Sequence, residues 1–579
     1  MLLGQPYGIL DSKPMKNYSF YFLLSLFFCG CQPKENTIQF SYVDPLQKVF
    51  PESTYFTSSI AHADVARGEH ASFQFATRSN ADIDRLTINV IAPAKGDKRL
   101  SAIKKGFVDF VPVGRTNPGP SKDILRSSSG VFPDPIIYRE SKDVPFGTTQ
   151  PIWISVKIPK DCEPGSYTGE VEITGQTNGK TFRRAETISI EVFEPVIDKT
   201  SLQVTNWFFL DRLHYLKGKE PLEKYSEDYW ELTRLMAKTL AEYRQNVAML
   251  SPLDHTRFSI ENGQWSFDFS PFNQLVELFI EEGVIGTLEG GHLGNRLQGW
   301  SGPFGLKVPV VEADTTYFET RLLEDEQTRS FYKSFLPALM QNIREKEWEE
   351  NYLQHIADEP IDANADSYIA IADFIKGLVP GIKIIEACHT AKLEGKIDTW
   401  VPQMNFLNED LGFYGERQAN GDGVWYYTCL APKGEYANRF IELPLIKTRL
   451  LHWVNHKYKI PGYLHWGFNY WGSGGGIATS DDPYKDASGM ITSSGNVLPG
   501  GDCWIVYPGD HIIYPSIRLE AMRDGIVDYE LLNRYRKRYP EEAKELVGTT
   551  VYNFEHYDTN ILDFRKKRRK ILEALSSAY

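Results

Sequence analysis

Two adjacent carboxylates, Asp358 and Glu359, close a short apolar approach, Tyr352–Pro360, read as YLQHIADEP. Neighbouring carboxyl groups can divide acid/base work if their surroundings push their pKa values apart. Most Asp-Glu pairs are solvated surface residues, so the pair counts only if the fold presents it at a strand end. Adjacent residues on a regular strand point to opposite faces. Both carboxylates reach one pocket only if the strand has ended, and Pro360, which cannot donate to a ladder, supports an ending. The sequence therefore predicts irregular backbone at Ala357–Glu359. His292 follows a predicted strand end, and His355 precedes the pair. Tyr426 and Tyr427 share one predicted strand, so alternation turns only one of them inward. Trp466, Trp471 and Trp504 could wall a ligand pocket, and Asn469 could hydrogen-bond to what it holds. Core packing is an equal reading for the tyrosines. No CxxC, His/Cys cluster or GKS/T motif is present, so neither a metal nor a cofactor is expected.

These residues need elements to position them. Residues 32–198 read as a β-sandwich: short alternating strands such as Ala71–Thr77 and Ile152–Ile158, separated by Gly, Pro and Asp clusters. Residues 199–510 alternate strand and helix. Eight strand patterns (Val204–Phe209, Asn246–Leu250, Val284–Gly290, Tyr352–Ala357, Ile382–Ala387, Thr399–Pro402, Val424–Cys429, Gly462–Trp466) and seven intervening helical patterns predict a (β/α)8 TIM-like barrel. The helix after the fifth strand is the poorest, and about thirty residues after the third read as a loop. Two Gly-rich, aromatic stretches follow the eighth strand. Residues 511–579 form a helical extension that either packs on the barrel or caps it. Its basic run Lys566–Lys570 reads as a solvated helix face, and Arg518, Glu520, Arg523 and Asp524 as a structural ion network. The fold class is thus multidomain, β followed by α/β.

At 579 residues the chain needs more than one core. A net charge of -13 argues against non-specific nucleic-acid binding. Tyr18–Phe28 is an apolar run of signal-peptide length. It ends at Phe28-Cys29-Gly30-Cys31, which resembles a bacterial lipobox with Cys31 acylated, although Cys29 stands where a small residue is usual. Residues 1–31 are therefore expected to direct export and attachment to a bacterial cell-envelope membrane, with membrane contact only through that anchor. Cys162, Cys388, Cys429 and Cys503 are widely spaced and read as separate buried thiols. Oligomeric state is left open, a homodimer included.

Together, RGEHASFQ (Arg67–Gln74), PIWISVKIPKDCEPGSYTGEV (Pro151–Val171), IADEP (Ile356–Pro360), GYLHWGFNYW (Gly462–Trp471) and SIRLEAMRDGIVDYELL (Ser516–Leu532) resemble glycoside hydrolase family 123, the exo-acting β-N-acetylgalactosaminidases. The resemblance implies a glycan substrate with terminal β-linked N-acetylgalactosamine (GalNAc). It also implies catalysis in which the sugar's own acetamido oxygen attacks the anomeric carbon, an exception to the two-carboxylate scheme. Glu359 matches the general acid/base, with a raised pKa expected. Asp358 matches the residue that holds the acetamido N–H and stays ionised. A tyrosine donates to the acetamido oxygen in the similar substrate-assisted family 20, a part open to Tyr426 or Tyr427.

Overall fold

The computed structural model describes residues 37–54, 60–312, 315–472, 477–478, 480–492 and 495–577. The expected leader and Cys31 lie outside them. The N-terminal region is two facing sheets. One has five antiparallel strands in the order Ile38–Val43, His70–Ser79, Thr149–Lys157, Ile103–Val113, Gly130–Ile137. The other runs Ala61–Arg67, Lys180–Val196, Gly165–Thr177, Ile83–Lys95, Lys98–Arg99, with Ser141–Val144 also paired to Ile83–Lys95. Alternation explains the core between them: Phe73, Phe75, Ile152 and Ile154 from one sheet meet Val171, Ile173, Ile188 and Ile190 from the other. Each such side chain contributes roughly 1.5–3 kcal/mol by leaving water.

The barrel strands are β1 (Gln203–Asn206), β2 (Val247–Met249), β3 (Thr287–Gly290), β4 (Tyr352–Gln354), β5 (Ile385–Cys388), β6 (Thr399–Pro402), β7 (Gly423–Val424 and Tyr426–Tyr427) and β8 (Gly462–His465). Parallel pairing joins β2 to β3 to β4, β5 to β6 to β7, and β7 to β8 to β1. The two remaining seams close through Asn246 N to Val204 O at 3.3 Å and Gln354 N to Lys383 O at 2.9 Å. The outer helices are α1 (Glu227–Glu242), α2 (Ser270–Glu281), α3 (Glu326–Glu345), α4 (Ala365–Leu378), α5 (Met404–Glu409), α6 (Leu411–Ala419), α7 (Leu445–Tyr458) and α8 (Ile517–Arg538). Ser226, Asp325 and Ser516 start α1, α3 and α8 by accepting a backbone N–H three residues on.

Three elements differ from the sequence reading. The long loop after β3 is a three-stranded antiparallel sheet, Gly294–Arg296, Phe304–Glu312 and Thr315–Arg321. After β5 there is only the short turn Ala391–Leu393. The first helix of the C-terminal region, α8, belongs to the barrel's outer ring. It lies against α7, where Gly525 lets the backbone of Arg449 approach, and reaches α1 through Tyr243 Oη to Glu520 at 2.7 Å. Two more helices follow, α9 (Pro540–Gly548) and α10 (Ile561–Ser576). The basic run on α10 is not a uniformly solvated face. Arg568 is buried, pairs with Glu69 of the sandwich, and donates to Asp528 of α8 at 2.8 Å. Arg565 pairs with Asp44 at 2.8 Å. Arg518 pairs with Asp134 and Arg523 with Glu520 and Asp524, an ion network as expected. The four described cysteines are free and buried. No described helix is long and apolar enough to cross a membrane.

Candidate active site

β4 stops at Gln354, and the next six residues are irregular. The buried Glu386 carboxylate on β5 explains why: its Oε2 accepts Ile356 N at 2.9 Å and Ala357 N at 3.0 Å, bonds that a continuing strand would give to a neighbour. The chain bends at Ala357 and Asp358, as predicted, and Glu359 adopts φ 51°. Left-handed backbone costs a non-glycine residue about 1–2 kcal/mol. Two bonds to the segment around β5 hold it there, Glu359 N to Ala387 O and His389 N to Pro360 O, each 3.0 Å.

The two carboxylates then meet different surroundings. Tyr427 Oη donates to Glu359 Oε1, and His389 Nε2 lies 3.4 Å from the same oxygen. Arg296 donates to the Glu359 carbonyl oxygen. Asp358 turns toward His292, whose Nε2 is 4.0 Å from Oδ1, and its side chain is 49% open. Burial pushes the Glu359 carboxyl up. The hydrogen bond and charge of His389, the Tyr427 hydroxyl and the Arg296 charge outweigh that and hold it below its ordinary value. Asp358 moves the other way. Its crowded surroundings and the charges of Glu359 and Glu386 hold it above the carboxylate range, an effect that its open side chain screens in part. This reverses the expectation of a raised Glu359 beside an ionised Asp358. The neighbour's charge alone raises the Glu359 pKa; the donors after β5 and on β7, which bind Glu359 alone, overturn that.

A buried charge network supports the pair from below. His355 is fully buried. Its Nδ1 lies 3.0 Å from Glu386 and its Nε2 3.6 Å from Glu289, and the two carboxylates push its pKa, against the effect of burial, up to about 10. Glu289 accepts from Thr205 at 2.9 Å and Trp207 Nε1 at 3.3 Å, and Glu386 from Tyr368 at 2.9 Å. His292, His355 and Glu386 bring possible metal-ligand atoms within 4.8 Å of one another. In this arrangement Glu386 is already taken by two backbone N–H groups and the Tyr368 hydroxyl, and His355 Nδ1 by Glu386.

Of the other predicted site residues, His292 and Tyr427 reach the pair. Tyr426 does not: it is buried on the opposite side of β7 and donates to Leu451 O at 2.6 Å. His355 is likewise sealed beneath the pair and does not touch a ligand. Asn469 is buried and clamps Phe209 N at 2.8 Å and Phe209 O at 3.1 Å, tying the segments after β8 and β1 together. Trp471 is core, donating to Val506 O at 2.9 Å, and Trp504 is buried too. Trp466 stays half-buried at the end of β8, with Nε1 on Asp502 at 3.2 Å. Sequence reasoning missed His389, Arg296, Glu289 and Glu386. The two glutamates left a signal, a carboxylate inside an otherwise apolar strand run (TLEGG, IIEAC). A cleft of about 1130 Å³, lined in part by Phe209, Tyr225, Phe258 and Phe318, lies beside the loops after β1 and β2 and does not include the carboxylates.

A sandwich leading into a (β/α)8 barrel, with two carboxylates in contrasting environments at a strand end, is the architecture of a glycoside hydrolase. The family profile "Glycoside hydrolase 123, catalytic domain" matches residues 221–535, and "Glycoside hydrolase 123 N-terminal domain" matches residues 47–175. The chain belongs to glycoside hydrolase family 123. It is similar in structure to a family 123 glycoside hydrolase from Clostridium perfringens that is described in connection with glycolipid glycan hydrolysis. That match has 15% identity and a TM-score of 0.69, covering 94% of this chain and 97% of that one. A Parabacteroides merdae β-glucuronidase matches at 9% identity and TM-score 0.26, over 69% of this chain and 45% of that one. A family 5 mannosidase from Rhizomucor miehei matches at 13% and 0.29, over 57% and 93%. No curated protein sequence matches the chain.

Proposed function

We propose that the chain is a retaining exo-β-N-acetylgalactosaminidase acting on the non-reducing ends of glycans through an oxazoline intermediate. The observation that carries this reading is the supply of carboxylates. Asp358 and Glu359 are adjacent and differently held, while Glu289 and Glu386 beneath them are fully buried, Glu386 hydrogen-bonded at both oxygens and Glu289 at Oε2, with its Oε1 facing His355 at 3.6 Å. Neither buried glutamate is free to attack a sugar, so the nucleophile is assigned to the substrate's acetamido oxygen. Asp358 accepts the acetamido N–H, and that bond favours its ionised form. The charge of Asp358 then favours a proton on Glu359, so substrate binding moves the pair's proton to the residue that needs it. Glu359 protonates the leaving oxygen and afterwards takes a proton from water, which opens the oxazoline with net retention. Once Glu359 is protonated, the Tyr427 hydroxyl is released to donate to the acetamido oxygen.

The test is release of GalNAc from an aryl β-GalNAc glycoside, with N-acetylgalactosamine-thiazoline as an oxazoline mimic. Turnover, strong thiazoline inhibition, and losses of about 10²–10⁴-fold in Glu359→Gln and Asp358→Asn are expected. Faster turnover of the aryl β-N-acetylglucosaminide points instead to a different β-hexosaminidase. Glycan binding without turnover points to a non-catalytic binder. Turnover that the thiazoline leaves untouched sinks the substrate-assisted mechanism.

A further inference from the structure

Trp300 sits at the tip of the turn between the first two strands of the sheet inserted after β3, and the residue is 51% exposed. The turn that presents it is tightly built. Leu297 N bonds Pro303 O at 3.0 Å and Gly302 N bonds Gly299 O at 3.3 Å. Gly299 takes φ 56°, and at Gly302 a Cβ would fall 2.0 Å from the Gln298 carbonyl oxygen. The buried Asn364, four residues past Pro360, donates to both Trp300 O and Gly302 O at 3.2 Å. A large apolar ring is therefore held open to water by backbone bonds and two constrained glycines. The ring is thus available for contact with a ligand, and its place beside Glu359 rather than its exposure sets it apart from the other exposed apolar side chains.

Its neighbours say which ligand. The Arg296 guanidinium lies 4.0 Å from the Trp300 ring centre, and the same group donates to the Glu359 carbonyl oxygen. The His389 ring lies 6.3 Å from Trp300, and its Nε2 is 3.4 Å from the Glu359 carboxylate. Trp300 thus stands one side chain beyond the proton donor. The Asp358 carboxylate lies 4.0 Å from His292, whereas both side chains against the Trp300 ring also touch Glu359. A sugar held with its acetamido group on Asp358 and its glycosidic oxygen at Glu359 points its leaving group at Trp300.

We propose that Trp300 is the platform for the leaving group, stacking on a hexopyranose ring linked through the scissile oxygen. This rests on the exo-glycosidase reading above. The polar surroundings of the ring, Arg296, His389 and Asn364, suit a hydroxylated ring rather than an alkyl chain, which needs enclosing apolar walls.

Trp300→Ala separates this proposal from the catalytic reading when it is measured on two substrates. One is a disaccharide of GalNAc β-linked to galactose; the other is β-N-acetylgalactosaminyl fluoride, which has no sugar beyond the cleaved bond. Loss of the platform should lower kcat/KM on the disaccharide on the order of tenfold and leave the fluoride within about twofold. Trp300→Tyr should recover most of the loss. Equal losses on both substrates, or no loss on the disaccharide, overturns the platform while the glycosidase reading stands. A wild-type enzyme that cleaves neither substrate overturns the reading on which the platform rests, and the platform with it.

Discussion

Before substrate arrives, Tyr427 and His389 favour the ionised form of Glu359, both approaching the same carboxylate oxygen. Removing one of them has a predictable sign. In Tyr427→Phe, Glu359 loses a hydrogen bond that favours its charged form, so its pKa rises. The productive state keeps one proton in the Asp358–Glu359 pair, so the fall in kcat/KM at high pH follows loss of that proton. The alkaline limb of the kcat/KM profile should therefore move to higher pH, together with a drop in kcat from the missing donor to the acetamido oxygen. A limb that stays put or moves down would falsify the assignment of Tyr427 as a partner of Glu359. The pair itself was legible in the sequence, because Pro360 marks a strand ending and adjacent carboxylates need one. Alternation allowed only one inward tyrosine but could not name it. His389 and Arg296 were not legible: each reaches Glu359 from a different strand end or loop, and no local spacing encodes that approach.

The turn from His355 to Pro360 behaves as an element in its own right, and Glu386 is its anchor. One carboxylate accepts two consecutive backbone N–H groups, the Tyr368 hydroxyl and His355 Nδ1, with no exposure to solvent. Burial raises its pKa, but His292 and His355 outweigh this and hold it at about 2. Glu386→Gln keeps the shape but removes the charge that balances the His355 imidazolium and can supply only one carbonyl oxygen as acceptor. Breaking a buried ion pair from one side costs about 3–5 kcal/mol. The variant should melt markedly lower, and its surviving folded fraction should show a pH optimum shifted from the wild type's, because Asp358 feels the charge of Glu386. A lower melting temperature with an unshifted pH profile would make Glu386 a fold residue only. Eight strands and most outer helices were readable from periodicity, since each buries one face. The sheet inserted after β3 was not, because its strands Phe304–Glu312 and Thr315–Arg321 pair with each other above the barrel rather than in its repeat.

Across the whole molecule, buried titrating groups pull stability in opposite directions with pH. Asp528 binds α8 to both α7 and α10. Burial raises its pKa, but Arg449 and Arg568 outweigh this and hold it at about 2, below its ordinary 3.8. A carboxyl lowered by folding stabilises above its unfolded pKa, and that contribution is lost as pH falls toward the folded value. Glu386 acts in the same sense. Asp502, buried under Trp466, is the reverse: burial lifts it to about 7, only partly opposed by Arg439. Folding therefore favours its protonated form, and that stabilisation is full below about pH 4 and lost as pH rises through 7. His355, raised to about 10, loses its contribution later still, on the alkaline side. Each group contributes on the order of a few kcal/mol, large against a typical net stability of about 5–15 kcal/mol. Five buried histidines, His70, His255, His452, His456 and His465, are held below their ordinary value by burial and so add stability as pH rises toward about 6.5. Melting temperature should therefore be highest near neutral pH and fall steeply on the acid side. Asp502→Asn, which cannot ionise, should steepen the rise in melting temperature between about pH 5 and 7 and leave the limb below about pH 4 as it was. Asp528→Asn should lower stability most at neutral pH and remove part of the acid limb. Melting curves across this range decide it: an Asp502→Asn profile parallel to wild type between pH 5 and 7 would show that Asp502 does not oppose the rise.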